Sequence, residues 1–254
     1  MTILIDVHAH LDWPDMLKDV DNIIQRARDA GVKVVIANGV DRESTRKVIE
    51  LSEKHDIVQP ALGIYPVDAL QTEQGDAFKE TDIDAELDFI RSQDPIAIGE
   101  VGLDLKHGQD LELQQELFRK LIDIAKEKEI PVIVHSRKAE KECIDLLEET
   151  GYKKVVLHCF SGRKHLVKRA AELGYYFSIP TNVVKSEHFQ DLVKTVHISK
   201  LLTETDAPFL SPFQGKTNEP AFVIESLKKI AELKGMTLED TANNIFMNYQ
   251  NLFE

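Results

Sequence analysis

The chain has 254 residues, 43% of them hydrophobic and 30% charged, with a formal net charge of −13. That balance supports a large core and excludes a disordered chain. The acidic excess also excludes a broad basic surface gripping nucleic acid unaided, so a polyanionic substrate would need local positive charge.

Apolar runs at 3–8, 32–39, 58–64, 96–101, 131–135, 155–158, 175–179 and 201–204 read as eight strands, each too apolar to be wetted on either face. Amphipathic helical stretches lie between them. In "ELQQELFRKLIDIAKEKE", Leu113, Leu117, Leu121 and Ala125 fall four apart on one face, with charges on the other. Gly31, Gly151 and Gly174 stand where helices should stop, and from Asn218 onward the pattern predicts a closing helix pair. Eight such strands alternating with helices predict an α/β fold, a (β/α)8 TIM barrel formed by residues 1–254 as one domain. A doubly wound open sheet is the alternative, but no Gly-x-Gly-x-x-Gly follows the first strand. Cys143 and Cys159 lie outside any Cys-x-x-Cys spacing and are expected as small core residues without chemistry. No apolar run approaches the roughly 18 residues of a spanning helix, and no basic segment and apolar stretch open the chain. The expectation is a cytoplasmic protein with no membrane association and no evident obligate protein partner.

The opening "IDVHAH" sets polar groups on a strand. Side-chain alternation sends Asp6, His8 and His10 to one side. A lone His-x-His is ordinarily satisfied in a core or exposed, and Asp6 could simply accept from loop amides. The barrel changes the weighing, because chemistry in such folds gathers at the carboxyl ends of the strands. His8 and His10 stand at the end of the first strand, Glu100 at the fourth, His135 at the fifth and His158 at the sixth, and Asp206 follows the eighth. Four imidazoles and two carboxylates converging on one mouth would repel or stay unpaired without a cation, and this is a two-metal inventory.

The stretches "DVHAHLD", "AIGEVGLD", "PVIVHSR", "HCFSG", "ETDAPFL" and "NEP" together resemble the TatD family of metal-dependent deoxyribonucleases, within the amidohydrolase-like barrels. The resemblance implies a TIM barrel, a binuclear centre and hydrolysis of DNA phosphodiester bonds, typically exonucleolytic and magnesium-dependent. It implies that His8, His10 and Asp206 hold one metal, that His135 and His158 hold the other, and that Glu100 bridges them. Two departures stand out. Where the family commonly has Gly-x-His-Pro-His, this chain reads Gly63, Ile64, Tyr65, Pro66, Val67, and Thr217, beside Lys216, replaces the family's basic residue before Asn-Glu-Pro.

On this reading Glu100 and Asp206 are the catalytic carboxylates. Two cations roughly 3.5 to 4 Å apart lower the pKa of a shared water and clamp phosphate oxygens, while Asp206 orients that water and takes its proton. Arg137 offers a fork for phosphate or, equally, a surface ion pair. Tyr65 could donate a hydrogen bond to the substrate but carries no positive charge, and Lys106 and His107 are expected in solvent. Imidazole-rich ligation also permits zinc, manganese or nickel. Other readings are hydrolysis of a different ester, such as an aminoacyl-tRNA linkage, and a binding protein stapled by metals with closed coordination shells.

Overall fold

The computed structural model describes residues 2–67 and 80–254. Eight strands, β1 (Leu4–Ala9), β2 (Val32–Asn38), β3 (Val58–Leu62), β4 (Ala97–Asp104), β5 (Val132–Arg137), β6 (Val155–Leu157), β7 (Tyr176–Ile179) and β8 (Leu201–Thr203), form one sheet in sequence order. Every neighbouring pair is parallel. The ring closes where Ala9 bridges Ala207, with the His10 amide on the Ala207 carbonyl at 2.8 Å and the Asp206 amide on the His8 carbonyl at 2.9 Å. With helices between the strands, this is the (β/α)8 barrel expected from the alternation.

Two apolar layers follow from the pleat. Ile5, Val7, Ile36, Ala61, Ala97, Ile133, Val156 and Leu202 fill the barrel interior and pack on Tyr249 and Leu252 of the helix Leu238–Phe253. That helix and its predecessor Val223–Lys234 are the predicted closing pair, and the Tyr249 contact plugs the lower end of the interior. The larger layer joins the outer strand faces to the surrounding helices. Gly31 and Gly151 end their helices in the left-handed conformation, and Gly174 follows the next helix with φ of 90°, a backbone state that suits glycine.

Two expectations need correction. Leu113 is 44% exposed, and the buried stripe of the helix Leu111–Lys128 includes Gln114 instead. The Gln114 amide explains the shift: its oxygen accepts from the Asp104 amide at 2.8 Å and its nitrogen donates to the Asp104 carbonyl at 3.1 Å. Strand β4 also runs on past Glu100 to Asp104, because Gly102, Leu103 and Asp104 pair with His135, Ser136 and Arg137. Glu100 therefore lies inside the strand, where the register slips between Ile98 and Val101.

Candidate metal centre

The barrel brings all six predicted residues to one mouth. His8 and His10 place their Nε2 atoms 3.2 Å apart, each 3.4 Å from Glu100 Oε2. The other Glu100 oxygen, Oε1, lies 2.8 Å from His135 Nδ1. Asp206 Oδ1 is 3.7 Å from His8 Nε2, 3.5 Å from His10 Nε2 and 3.9 Å from His158 Nε2, and the His158 ring stacks on His8 with centroids 3.6 Å apart. Among the described residues four groups have metal-ligand spacing: His8 with His158 and Glu204, His158 with Cys159 and Asp206, His8 with His10 and Glu100, and Glu100 with His135 and His158. Glu100 belongs to the last two. Buried imidazole nitrogens and carboxylate oxygens turned toward one another make a donor set that fits divalent cations.

Backbone packing explains how Glu100 gets there. A Cβ on Gly63 would meet the Glu100 carbonyl oxygen at 2.5 Å, and one on Gly102 the His135 carbonyl oxygen at 2.0 Å. Only glycine lets β3, β4 and β5 approach so closely at these points.

Charge in the site is balanced by proximity. Burial opposes ionisation of Glu100, yet hydrogen bonds to His135 and His8 hold its carboxyl well below the usual range. Burial likewise disfavours the charged imidazoles, but Asp206 and Glu100 lift His10 to about 9, and Glu204 with Asp206 lifts His158 to about 10. For His8 burial wins, aided by the charge of His158, and its pKa is lowered. Divalent cations displace such protons, because a ligating imidazole must be neutral at the bonding nitrogen.

A second layer fixes the imidazoles, and the sequence reading gave its two carboxylates, Glu204 and Asp104, no role. Glu204, fully buried, accepts from His158 Nδ1 at 2.8 Å, from the Cys159 amide at 3.0 Å and from the Ser178 hydroxyl. Asp104, also fully buried, accepts from the Tyr65 hydroxyl at 2.5 Å, from His107 Nδ1 at 2.9 Å, and from the amides of Lys106 and His107. His135 Nε2 lies 3.4 Å from Asp104 and 3.2 Å from the Tyr65 oxygen. The available signals for these two acids were their places in "GLD" and "TETD", each a few residues from a predicted ligand.

Several expectations change in detail. Asp6 does not join His8 and His10: it accepts from the Thr205 amide and hydroxyl and from the His8 amide, since the β1 register slips between Asp6 and Ala9. Burial raises the Asp6 carboxyl to about 8. Tyr65 lines the mouth, but its hydroxyl hydrogen is committed to Asp104. Lys106 and His107 are both exposed as expected, and His107 is also anchored through Nδ1 to Asp104. Cys143 is buried as expected, whereas Cys159 is partly exposed and lines the cavity. Burial and the charge of Glu204 push the Cys159 thiol well above its ordinary value, so it stays protonated. Arg137 is exposed at the cavity wall, and its guanidinium makes no ion pair among the described residues. Asn218 is structural: its buried amide donates to Thr181, to the Thr205 carbonyl and to the Phe209 carbonyl, tying down the segment that carries Asp206.

The mouth opens into a cavity of about 900 Å³. Among the described residues no helix is long and apolar enough to cross a membrane.

The family profile described as TatD related DNase matches residues 5–254. The chain is 35% identical to a human protein named deoxyribonuclease TATDN3, over 98% of this chain and 94% of that one. It is 33% identical to the Bacillus subtilis metal-dependent hydrolase YabD, over 99% of each. The crystal structure of the Escherichia coli TatD homologue YJJV superposes with a TM-score of 0.87 at 28% identity, covering 98% of this chain and 97% of that one.

Proposed function

The chain belongs to the TatD family of metal-dependent hydrolases, enzymes that act on ester bonds, and from that premise we propose that it hydrolyses DNA phosphodiester bonds as an exonuclease with two divalent cations. The observation that carries the reading is the division of Glu100, with Oε2 turned to His8 and His10 and Oε1 to His135. Its neighbourhood agrees: an open cavity whose wall holds Arg137, free of ion pairs among the described residues. The human relative's name, deoxyribonuclease, points to DNA.

In this assignment His8, His10 and Asp206 would hold one cation and His135 and His158 the other, with Glu100 shared between them. When bound, the pair supplies an activated water and neutralises the charge that builds on the phosphate oxygens. Magnesium is the expected cation by abundance, and the imidazoles also suit zinc, manganese or nickel.

The chain's own residues do the rest. Asp206 accepts the proton of the attacking water. Burial opposes its charged form, but the hydrogen bond to His10 and the charges of His158 and His8 hold its pKa low, so it acts by position rather than by raised basicity. Arg137 supplies a planar fork for a non-bridging phosphate oxygen. Glu204 keeps the His158 hydrogen on Nδ1, turning the Nε2 lone pair inward. Tyr65 and Asp104 do the converse at His135, accepting at Nε2 so that Nδ1 faces Glu100. These outer partners fix tautomer and ring orientation.

The test combines metal analysis with cleavage of single-stranded oligonucleotides labelled at the 3′ or 5′ end. Release of mononucleotides from one end, abolished by a chelator and restored by magnesium, is expected. Cleavage of an aminoacyl-tRNA linkage with no cut in DNA under any divalent cation would overturn the DNA reading.

A further inference from the structure

At the rim of the cavity two large aromatic side chains stand in solvent. Trp13 is 45% exposed and Phe209 43%, among the few large apolar side chains the fold leaves out. Both line the cavity that contains Glu100, and their rings meet edge to face with centroids 5.2 Å apart. Phe209 also lies 6.2 Å from His10. Barrel closure explains the meeting: Trp13 follows His10 by three residues and Phe209 follows Asp206 by three, and the Ala9 to Ala207 bridge joins the two segments.

The pair is held rather than loose. The Phe209 amide donates to the Asp206 carbonyl at 2.8 Å, and its carbonyl accepts from Asn218 at 2.6 Å. The Trp13 carbonyl accepts from the Leu17 amide at 2.9 Å, in the first turn of the helix Pro14–Leu17. Two fixed aromatic rings left in water cost solvation unless something flat and apolar covers them.

Charge narrows what that is. With a net charge of −13 the protein does not attract a polyanion by a wide basic field, so affinity beyond the cations must come from elsewhere. Base stacking on aromatic rings provides it for single strands, and it tolerates any sequence because every base has a π face.

We propose that Trp13 and Phe209 form a stacking subsite for the nucleobase beside the scissile phosphate. The proposal rests on the phosphodiesterase reading of the adjoining centre and extends it to the base.

Trp13 is the only tryptophan in the chain, so its fluorescence reports on this subsite alone. Thymidine 5′-monophosphate and deoxyribose 5-phosphate, titrated with magnesium present, share the sugar and phosphate and differ by the base. Saturable quenching by the nucleotide is expected, with the base-free compound at least about tenfold weaker. Phe209→Ala should weaken nucleotide binding on the order of tenfold, and Phe209→Tyr should restore it, with circular dichroism verifying that each variant is folded. A parallel assay compares oligothymidylate with a fully abasic strand of equal length. Trp13→Ala should narrow the preference for the base-bearing strand about tenfold. Equal affinity for the two phosphates, or no effect of Phe209→Ala, overturns the proposal. If neither strand is cut, the phosphodiesterase reading fails, and the fluorescence titration still decides the subsite.

Discussion

Replacing Tyr65 with phenylalanine separates a residue that touches substrate from one that works through His135. The hydroxyl donates to Asp104 at 2.5 Å and lies 3.2 Å from His135 Nε2. Phe removes one donor from a buried carboxylate, and a hydrogen bond to a charged group contributes roughly 1.5–3 kcal/mol. Asp104 retains His107 Nδ1 and the amides of Lys106 and His107, so the loss should fall near the lower end, about 1–2 kcal/mol. At roughly 2–4 °C per kcal/mol for a chain of this size, Tm should drop by about 2–8 °C. The sign with pH follows from Asp104. Burial opposes its ionisation, but His135, Tyr65 and His107 hold its carboxyl below the ordinary 3.8. A depressed acid stabilises the fold fully above its unfolded pKa and loses that contribution as pH falls through the folded one. The Tm difference should therefore be constant from about pH 5 to 8 and shrink in stronger acid. His135 keeps Asp104 at 3.4 Å, so turnover should fall by about tenfold, the low end for loss of an outer partner, and half-saturation by magnesium should shift upward. Thermal denaturation and magnesium titration of the rate are the assays. Unchanged Tm and magnesium dependence with a raised KM for DNA would refute this reasoning and place Tyr65 on the substrate.

Glu100→Gln should remove most activity and weaken at least one divalent cation, measured by metal analysis on protein whose circular dichroism matches the wild type; wild-type turnover excludes the bridge. Glu204→Gln sets an amide against His158, Ser178 and Cys159. It should cost on the order of 3 kcal/mol by denaturant titration and about 10–100-fold in activity, and a loss under 0.5 kcal/mol would contradict the pairing. Divalent cation at about 100 times its Kd should stabilise the native chain by about 2.7 kcal/mol, read as a Tm rise that Glu100→Gln blunts. DNA affinity should depend weakly on salt, because few side-chain cations face the cavity; a slope implying six or more phosphate contacts would rule this out.

The sequence by itself determined the barrel and the six polar side chains that meet at its mouth, because both are written in local chemistry. Eight apolar runs separated by amphipathic stretches call for a parallel sheet covered on both faces, the missing Gly-x-Gly-x-x-Gly favours its closure into a barrel, and a strand end is where a barrel puts its chemistry. His8, His10, Glu100, His135, His158 and Asp206 were therefore legible before any coordinates. The roles of Asp104, Glu204, Tyr65 and Asp6 were not, since each depends on a partner far along the chain. Glu204 meets His158 across 46 residues, Tyr65 meets Asp104 across 39, and the carboxylate of Asp6 is claimed by Thr205 across 199. Alternation along β1 gave Asp6 the same side as His8, and a register slip decided otherwise. Neither Trp13 nor Phe209 is singled out by the sequence reading, and only closure of β1 on the segment after β8 sets them side by side in solvent. Residue type and periodicity fix which groups a strand can present. Which of them touch is decided by register and closure, which are properties of the whole sheet.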